Sequence, residues 1–540
     1  MSADLQRNRG TRHQPPGAPA APTALLRAFL LVALVAVAAA APAGWAQGVA
    51  APPVPDQALA EQRTTAYFDT IRAEPLALAA FLRAMPKGGD LHNHPSGAEY
   101  AEHFIAYAAE DGLCVVLATM TLVAPTPPCD AADGRPPAAS ALADQQLYNA
   151  LIDAWSMRNW NPARISGHDQ FFGTFDRFGE AWALRTGDVL ADVIAQAGAE
   201  NVSYLELMFG VDGGGASQLG ARVGWDDDLG RLRERLLAEG MDEVVAAARR
   251  GLDAAEARVR ERLRCGTPDA DRGCAVTVRY LQTGTRVLPP ERVFAQFVAG
   301  YQLVHTDPRV VGINLVAPED AYVARRDYRL HMAMLDYLHG IAPDVPIALH
   351  AGELAPGLVP PADLRFHIRA AVEQGHARRI GHGVDVMYED DPFGLLAELA
   401  ERNVLVEILP VSNTQILGIT GPEHPFPYYW AAGVPLALAT DDEGVSRSTM
   451  TDQYQQAVEL FGLGYPELKQ LARQSLEYAF LPGASLWEQL AAAVPADACA
   501  GDQLGGETPS AACGAFLQGS ERARAQWRLE GEFAAFERRY

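Results

Sequence analysis

Four short stretches hold the residues best able to do chemistry: His92-Asn93-His94, His350-Ala351-Gly352-Glu353, Gly381-His382-Gly383 and Thr440-Asp441-Asp442. His92 and His94 stand two apart, so on an extended chain both imidazoles project to the same face. With His350 and Asp441 they form a nitrogen- and oxygen-rich set of the kind that suits zinc. Each piece alone has a bland explanation. A single His-x-His arises by chance, an Asp-Asp pair commonly caps a helix or turns a loop, and His382 between two glycines fits a structural role. The weight lies in their placement, because each follows directly on an apolar run.

Eight such runs recur along the chain, at residues 90–94, 202–208, 276–281, 310–316, 345–350, 379–384, 404–409 and 434–440. Several are almost continuously apolar, as parallel strands covered on the outside must be. Helix-compatible segments separate most of them, at 180–199, 290–303, 328–340, 362–374 and 392–402. Strand and helix alternating eight times predicts an α/β fold, a (β/α)8 barrel of the TIM type. In that architecture functional residues gather at the C-terminal ends of the strands, which is where all four stretches fall.

Two connections are too long for a single crossover. Residues 98–179 predict an inserted subdomain after the first strand, and residues 210–275 a glycine-rich loop followed by one long charged helix over 226–264. The expected domains are a signal peptide (1–46), a lead-in with an N-terminal helix at 66–84 (47–88), the barrel (89–481) and a C-terminal helical extension (482–540).

Arg7, Arg9, Arg12 and Arg27 precede an apolar run at 28–37, and Gly44 and Ala46 stand like the −3 and −1 positions of a cleavage site. This pattern predicts export to the periplasm or beyond, with no stable membrane association after cleavage. Six cysteines fall into three local pairs, predicting disulfides 114–129, 265–274 and 499–513 in an oxidising compartment. A formal net charge of -23, with no compensating basic cluster, excludes nucleic acid as a partner. His103, His305, His331, His339, His367 and His376 read as surface or packing residues.

The order and wording of the motifs resemble the adenosine deaminase family over about residues 85–450. The resemblance rests on Met85-Pro86-Lys87 before His92-x-His94, Val311-Gly312-Ile313-Asn314-Leu315, and His350-Ala351-Gly352-Glu353. It continues through Arg379-Ile380-Gly381-His382-Gly383, Pro410-Val411-Ser412-Asn413, Thr440-Asp441-Asp442 and Ser448-Thr449. The leader, the Met-Pro-Lys lead-in and the cysteine-bearing insertion resemble the secreted, growth-factor-type subgroup. The resemblance implies one zinc per chain on His92, His94, His350 and Asp441, with His382 orienting a water. It implies Glu353 as the proton donor to ring N1 of a purine nucleoside, Asp442 on N7, and the main chain near Ala317 on N3. The implied reaction is hydrolysis of adenosine, and of deoxyadenosine, to the inosine product and ammonia.

Departures from the family's usual residues occur at Ala317 (usually Gly), Asn314 (usually Asp), Met208 (usually Arg), Pro95-Ser96-Gly97 (often Leu-Asp-Gly) and Glu443 (commonly Pro). None touches the expected ligand set or Glu353. Adenine, AMP or a modified adenosine stand as alternative substrates, with Arg325 and Arg326 the candidates for holding a phosphate. An exported binding or signalling protein without turnover is the alternative of a different class. Oligomeric state is left open, a homodimer included.

Overall fold

The computed structural model describes residues 56–540. The segment read as a signal peptide lies outside them. Eight parallel strands form the core: β1 (Gly88–Asn93), β2 (Val202–Phe209), β3 (Thr277–Thr285), β4 (Val310–Val316), β5 (Ala348–Ala351), β6 (Arg379–His382), β7 (Leu405–Ile408) and β8 (Leu436–Leu438). They pair in sequence order as two four-stranded sheets, β1 to β4 and β5 to β8. A parallel bridge between Ile313 and Ile347 joins β4 to the start of β5. A second, between Asn93 and Asp441, joins the end of β1 to the residue that follows the β8 run. The ring is therefore closed and the (β/α)8 barrel expected from the strand pattern is the observed fold. Most barrel-strand residues are buried, as strands filling a barrel on one face and packing helices on the other require.

The closing seam is short and carries its own side-chain staple. Asp441 N–H donates to the His92 carbonyl (2.8 Å) and His94 N–H donates to the Asp441 carbonyl (3.2 Å). Beneath them the buried Asp90 carboxylate accepts from the Thr440 hydroxyl (2.5 Å) and from the main-chain N–H groups of Thr440 and His92 (both 3.3 Å).

Two helices expected to be continuous are broken. The N-terminal segment forms Asp56–Ile71 and Pro75–Ala84, because Pro75 lacks the N–H a continuing helix needs and suits a first turn. The charged segment forms Leu229–Ala238 and Met241–Arg262, divided where Gly240 takes φ of 118°, a value that suits glycine. The Met-Pro-Lys lead-in has a structural purpose. Lys87 Nζ, fully buried, donates to the carbonyls of Leu82 (2.7 Å), Met85 (3.1 Å) and Glu200 (2.7 Å), satisfying the ends of two helices at the base of the barrel.

The insertion after β1 contains helices Ala101–Glu110, Gln145–Ala154 and Gly167–Phe172 and the Cys114–Cys129 disulfide. It lies over the C-terminal mouth of the barrel. Met157 N–H donates to the Val445 carbonyl (2.8 Å) and His168 Nε2 lies 2.9 Å from Asp320 Oδ1, beyond β4. Gly167 sits so close to the Gln415 carbonyl that a Cβ there would come within 1.7 Å of it. The other two disulfides join Cys265 to Cys274 and Cys499 to Cys513, completing the three local pairs. Among the described residues no helix is long and apolar enough to cross a membrane.

Replacing Thr440 with Val should remove a donor from the buried Asp90 carboxylate at nearly constant shape. We expect a loss of about 1.5–3 kcal/mol in urea unfolding. A variant as stable as the parent would show that the seam does not depend on this bond.

Candidate metal centre

The mouth-side strand ends bring four predicted ligands to one point. The Nε2 atoms of His92, His94 and His350 lie 2.9 Å (92 to 350), 3.1 Å (94 to 350) and 3.3 Å (92 to 94) apart. Asp441 Oδ1 lies 3.6 Å from His92 Nε2 and 3.5 Å from His94 Nε2. A tetrahedral zinc with bonds of about 2.0–2.1 Å to nitrogen requires ligand atoms roughly 3.3 Å apart. The donor set and its spacing fit such an ion. His382 stands in a neighbouring layer: its ring centroid is 5.0 Å from that of His92, and its Nε2 is 3.8 Å from Glu353 Oε1. His92, His350, His382 and Asp441 also bring one donor atom each within 4.8 Å of one another. We assign the fourth direct position to His94, whose nitrogen is nearer to the other three ligands.

The strand ends explain this convergence. His92 lies on β1 and His94 one residue beyond it, both toward the mouth; His350 lies on β5 and His382 ends β6. His382 and Asp441 adopt φ of 68° and 64°. Left-handed backbone at non-glycine residues is strained and persists where surrounding contacts over-determine it. Gly381 is required because a Cβ would come within 2.6 Å of the His92 ring.

Two of the ligating imidazoles, His92 and His350, and the neighbouring His382 are oriented from behind. His92 Nδ1 lies 2.7 Å from Glu407 Oε2, and Glu407 Oε1 accepts from Arg379 Nε (2.7 Å). Arg379 Nη2 in turn donates to Glu206 Oε2 (2.6 Å), and the Tyr204 hydroxyl donates to Glu206 Oε1 (2.6 Å). His350 Nδ1 lies 2.7 Å from Asn314 Oδ1. His382 Nδ1 lies 3.2 Å from Asn413 Oδ1, and Asn413 Nδ2 lies 2.9 Å from His424 Nε2. Bonding at Nδ1 directs each Nε2 into the centre.

The electrostatics suit a cation. Burial lowers His94 to about 4, and burial with neighbouring imidazoles lowers His350 well below its ordinary value, so both keep free lone pairs at pH 7. Burial works against a charge on His92 too, but Glu407 outweighs it and raises the imidazole. Burial opposes ionisation of Asp441, yet the facing imidazoles hold it down to about 2. Burial raises Glu353 above the usual carboxyl range. Burial, with the Asp441 charge beside it, raises Asp442 well above its ordinary value.

Asp442 Oδ1 is buried without a partner, and a Cβ on Gly97 would overlap it at 1.6 Å. Ala317 stands one residue beyond β4 with φ of 86°, the region that favours glycine. Arg325 and Arg326 are already bound: Arg325 Nη1 to Asp363 (2.6 Å), and Arg326 to both oxygens of Asp327 (2.8 and 2.6 Å).

Four residues of this site were not singled out in the sequence or were read otherwise. Glu407, Glu319 and Asn413 were not assigned roles. His367, read as surface or packing, is fully buried with Nδ1 2.6 Å from Glu319 Oε1, so its role is polar and belongs to the site's surroundings.

Comparison with known proteins agrees with this geometry. The family model described as "Adenosine deaminase" matches residues 243–492. An adenine deaminase of Sinorhizobium medicae is 29% identical over 246 residues, 45% of this chain and 64% of its own length. An adenosine deaminase of Enterococcus faecalis is 37% identical over 138 residues, 25% of this chain and 37% of its own length. In both, the chain spans less than two thirds of the relative. An adenosine deaminase of Mycobacterium marinum is 26% identical over 367 residues, 64% of this chain and 87% of its own length.

His168 links the insertion to the mouth and should be pH-sensitive. Burial opposes its charge, but hydrogen bonds to Asp320 and Asp169 prevail and raise it to about 9. A raised imidazole stabilises the folded form fully below its ordinary value near 6.5 and loses that contribution as pH climbs through about 9. Protection from hydrogen exchange in residues 98–179, corrected for the intrinsic base-catalysed rise, should therefore fall between pH 7 and 9.5, and His168→Gln should abolish that step. Identical pH profiles for parent and variant would exclude His168 as the latch.

Proposed function

We propose, from the premise that this chain belongs to the adenosine deaminase family, that it is a zinc-dependent hydrolytic deaminase of adenosine-type nucleosides. The observation that carries the proposal is the convergence of three imidazole nitrogens and Asp441 beside a buried glutamate whose carboxyl is held above its usual range. His92, His94, His350 and Asp441 would hold the zinc. Once bound, it would supply the acidity that lets water act as a nucleophile at neutral pH.

This chain's own residues would do the rest. Glu353, whose carboxyl burial raises, would donate to ring N1 and make C6 electrophilic; a raised carboxyl is better suited to act as a general acid. His382, 3.8 Å from Glu353, would orient the attacking water from the opposite layer. N7 of a purine only accepts hydrogen bonds, so Asp442 can recognise it only as a neutral acid, the form that burial favours. The Ala317 N–H would face N3. Ammonia leaves C6 as the ring regains its aromatic form.

The substrate reading follows from charge. The two arginines raised as phosphate candidates, Arg325 and Arg326, are committed to carboxylates. A neutral nucleoside suits such a mouth better than a nucleotide. The match to an adenine deaminase keeps the free base as the second reading. Export is the companion reading, supported by three disulfides, which persist in oxidising compartments.

Glu353→Gln should keep its zinc and lose about 10²–10⁴-fold in kcat, the usual worth of a general acid. His350→Ala should lose both metal and activity. Metal analysis with an ultraviolet deamination assay on adenosine, deoxyadenosine, adenine and AMP checks both points. AMP turned over faster than adenosine would overturn the nucleoside reading, and a metal-replete protein inert on all four would overturn the deaminase reading.

A further inference from the structure

We propose that Glu319 is a positioning residue that holds the main chain of Glu353, and through it the carboxyl that protonates the substrate; this rests on the deaminase reading above. β5 ends at Ala351. Beyond it the chain turns at Gly352, with φ of 75°. A Cβ there would come within 2.5 Å of Asp385 Oδ1 and 2.7 Å of Ile368 Cδ1, so only glycine makes this turn. The two N–H groups that follow have left the sheet, and Glu319 replaces the missing partners. Its Oε2 accepts from Glu353 N–H (2.8 Å) and its Oε1 from Gly352 N–H (3.2 Å). On the other side of the turn, the Gly352 carbonyl accepts from the N–H groups of Val384 (2.8 Å) and Asp385 (3.2 Å).

The Glu319 side chain is wholly inaccessible to solvent, so its charge must be matched. His367 Nδ1 lies 2.6 Å from Oε1, and the His367 ring is held by the stacked Tyr328 ring 3.8 Å away. Arg286 Nη1 lies 3.8 Å from Oε2 and is itself buried, donating to the carbonyls of Leu315 (3.3 Å) and His350 (3.4 Å). The next residue, Asp320, bonds His168 of the insertion. One short loop therefore faces the insertion on one side and the acid-bearing turn on the other.

Carboxylate chemistry is specific here. An ionised carboxylate only accepts, and it meets three N–H donors. An amide would turn its own N–H₂ toward one of them. Displacing a catalytic group by about 1 Å can cost on the order of 100-fold in rate.

The test is Glu319→Gln, measured alone and with Glu353→Gln. We expect kcat about 100-fold lower, KM within threefold, and full zinc content. In the Glu353→Gln background the second substitution should cost less than threefold, because both act through one carboxyl. A kcat within threefold of the parent, a loss that tracks zinc content, or additive losses in the double variant would each overturn the proposal. A crystal structure of Glu319→Gln gives a readout that needs no turnover and so separates this proposal from the deaminase reading. A displaced Glu353 carboxyl supports it and an unmoved one refutes it. If Glu319→Gln does not fold, His367→Gln takes its place. About tenfold lower kcat at constant KM supports the proposal, and unchanged kcat with a lower melting temperature refutes it.

Discussion

An eight-stranded barrel closes only if its first and last strands meet, and here that meeting is reduced to a few bonds. The main chains of His92, His94 and Asp441 form the seam, and the Asp90–Thr440 pair staples it from inside. Three of the four expected metal ligands are thus residues whose peptide groups close the ring. Their mutual register needs no separate device. The fourth, His350, comes from β5, across the barrel, and must be aimed by its own partner, Asn314. The strained backbone at Asp441 follows from the same constraint: its φ of 64° costs on the order of 1–3 kcal/mol, which a closed barrel can hold.

The barrel interior then solves a charge problem. Glu206, Arg379 and Glu407 are all fully buried, and an isolated ion so placed would cost several kcal/mol. Linked in a row, they leave one uncompensated negative charge, and it faces His92. Arg379 also lies 3.9 Å over the Phe480 ring, which covers the guanidinium face. The end of the row calls for a cation beside His92. His92 itself, raised by Glu407, shares that charge, while burial keeps His94 and His350 neutral with their lone pairs free for a cation.

Much of this was legible in the chain because strand ends and chemistry coincide. Apolar runs, mostly rich in β-branched residues, located every barrel strand, and the four polar stretches named the ligand set. Glu206, Arg379 and Glu407 also carried a signal: a charge inside an otherwise apolar strand must be paired in the folded state. That signal tells only that a partner exists, not which one, since Glu407 and Glu206 lie far apart in sequence. Glu319 and His367 gave no signal of this kind. Glu319 sits in a Pro-Glu-Asp loop of ordinary composition, and its importance arises only when Gly352 and Glu353 turn out of the sheet beside it. Helix length was misjudged at Pro75 and Gly240, where local backbone chemistry overrode a continuous pattern.

Two uncharged residues, Asn314 and Met208, meet inside the barrel. Met208 on β2 and Asn314 on β4 approach each other across β3, with Asn314 Nδ2 3.2 Å from Met208 Sδ. At this point the barrel interior holds an amide beside a thioether and carries no charge. Met208 packs with Leu281, Val311 and Ala348. Asn314 supplies the acceptor that His350 needs, without placing a negative charge behind that imidazole. A neutral acceptor strengthens the ring's basicity less than a carboxylate does. Orientation of the third histidine is therefore kept, and the electrostatic hold on a bound cation is concentrated on Asp441 and on the Glu407 side of the centre.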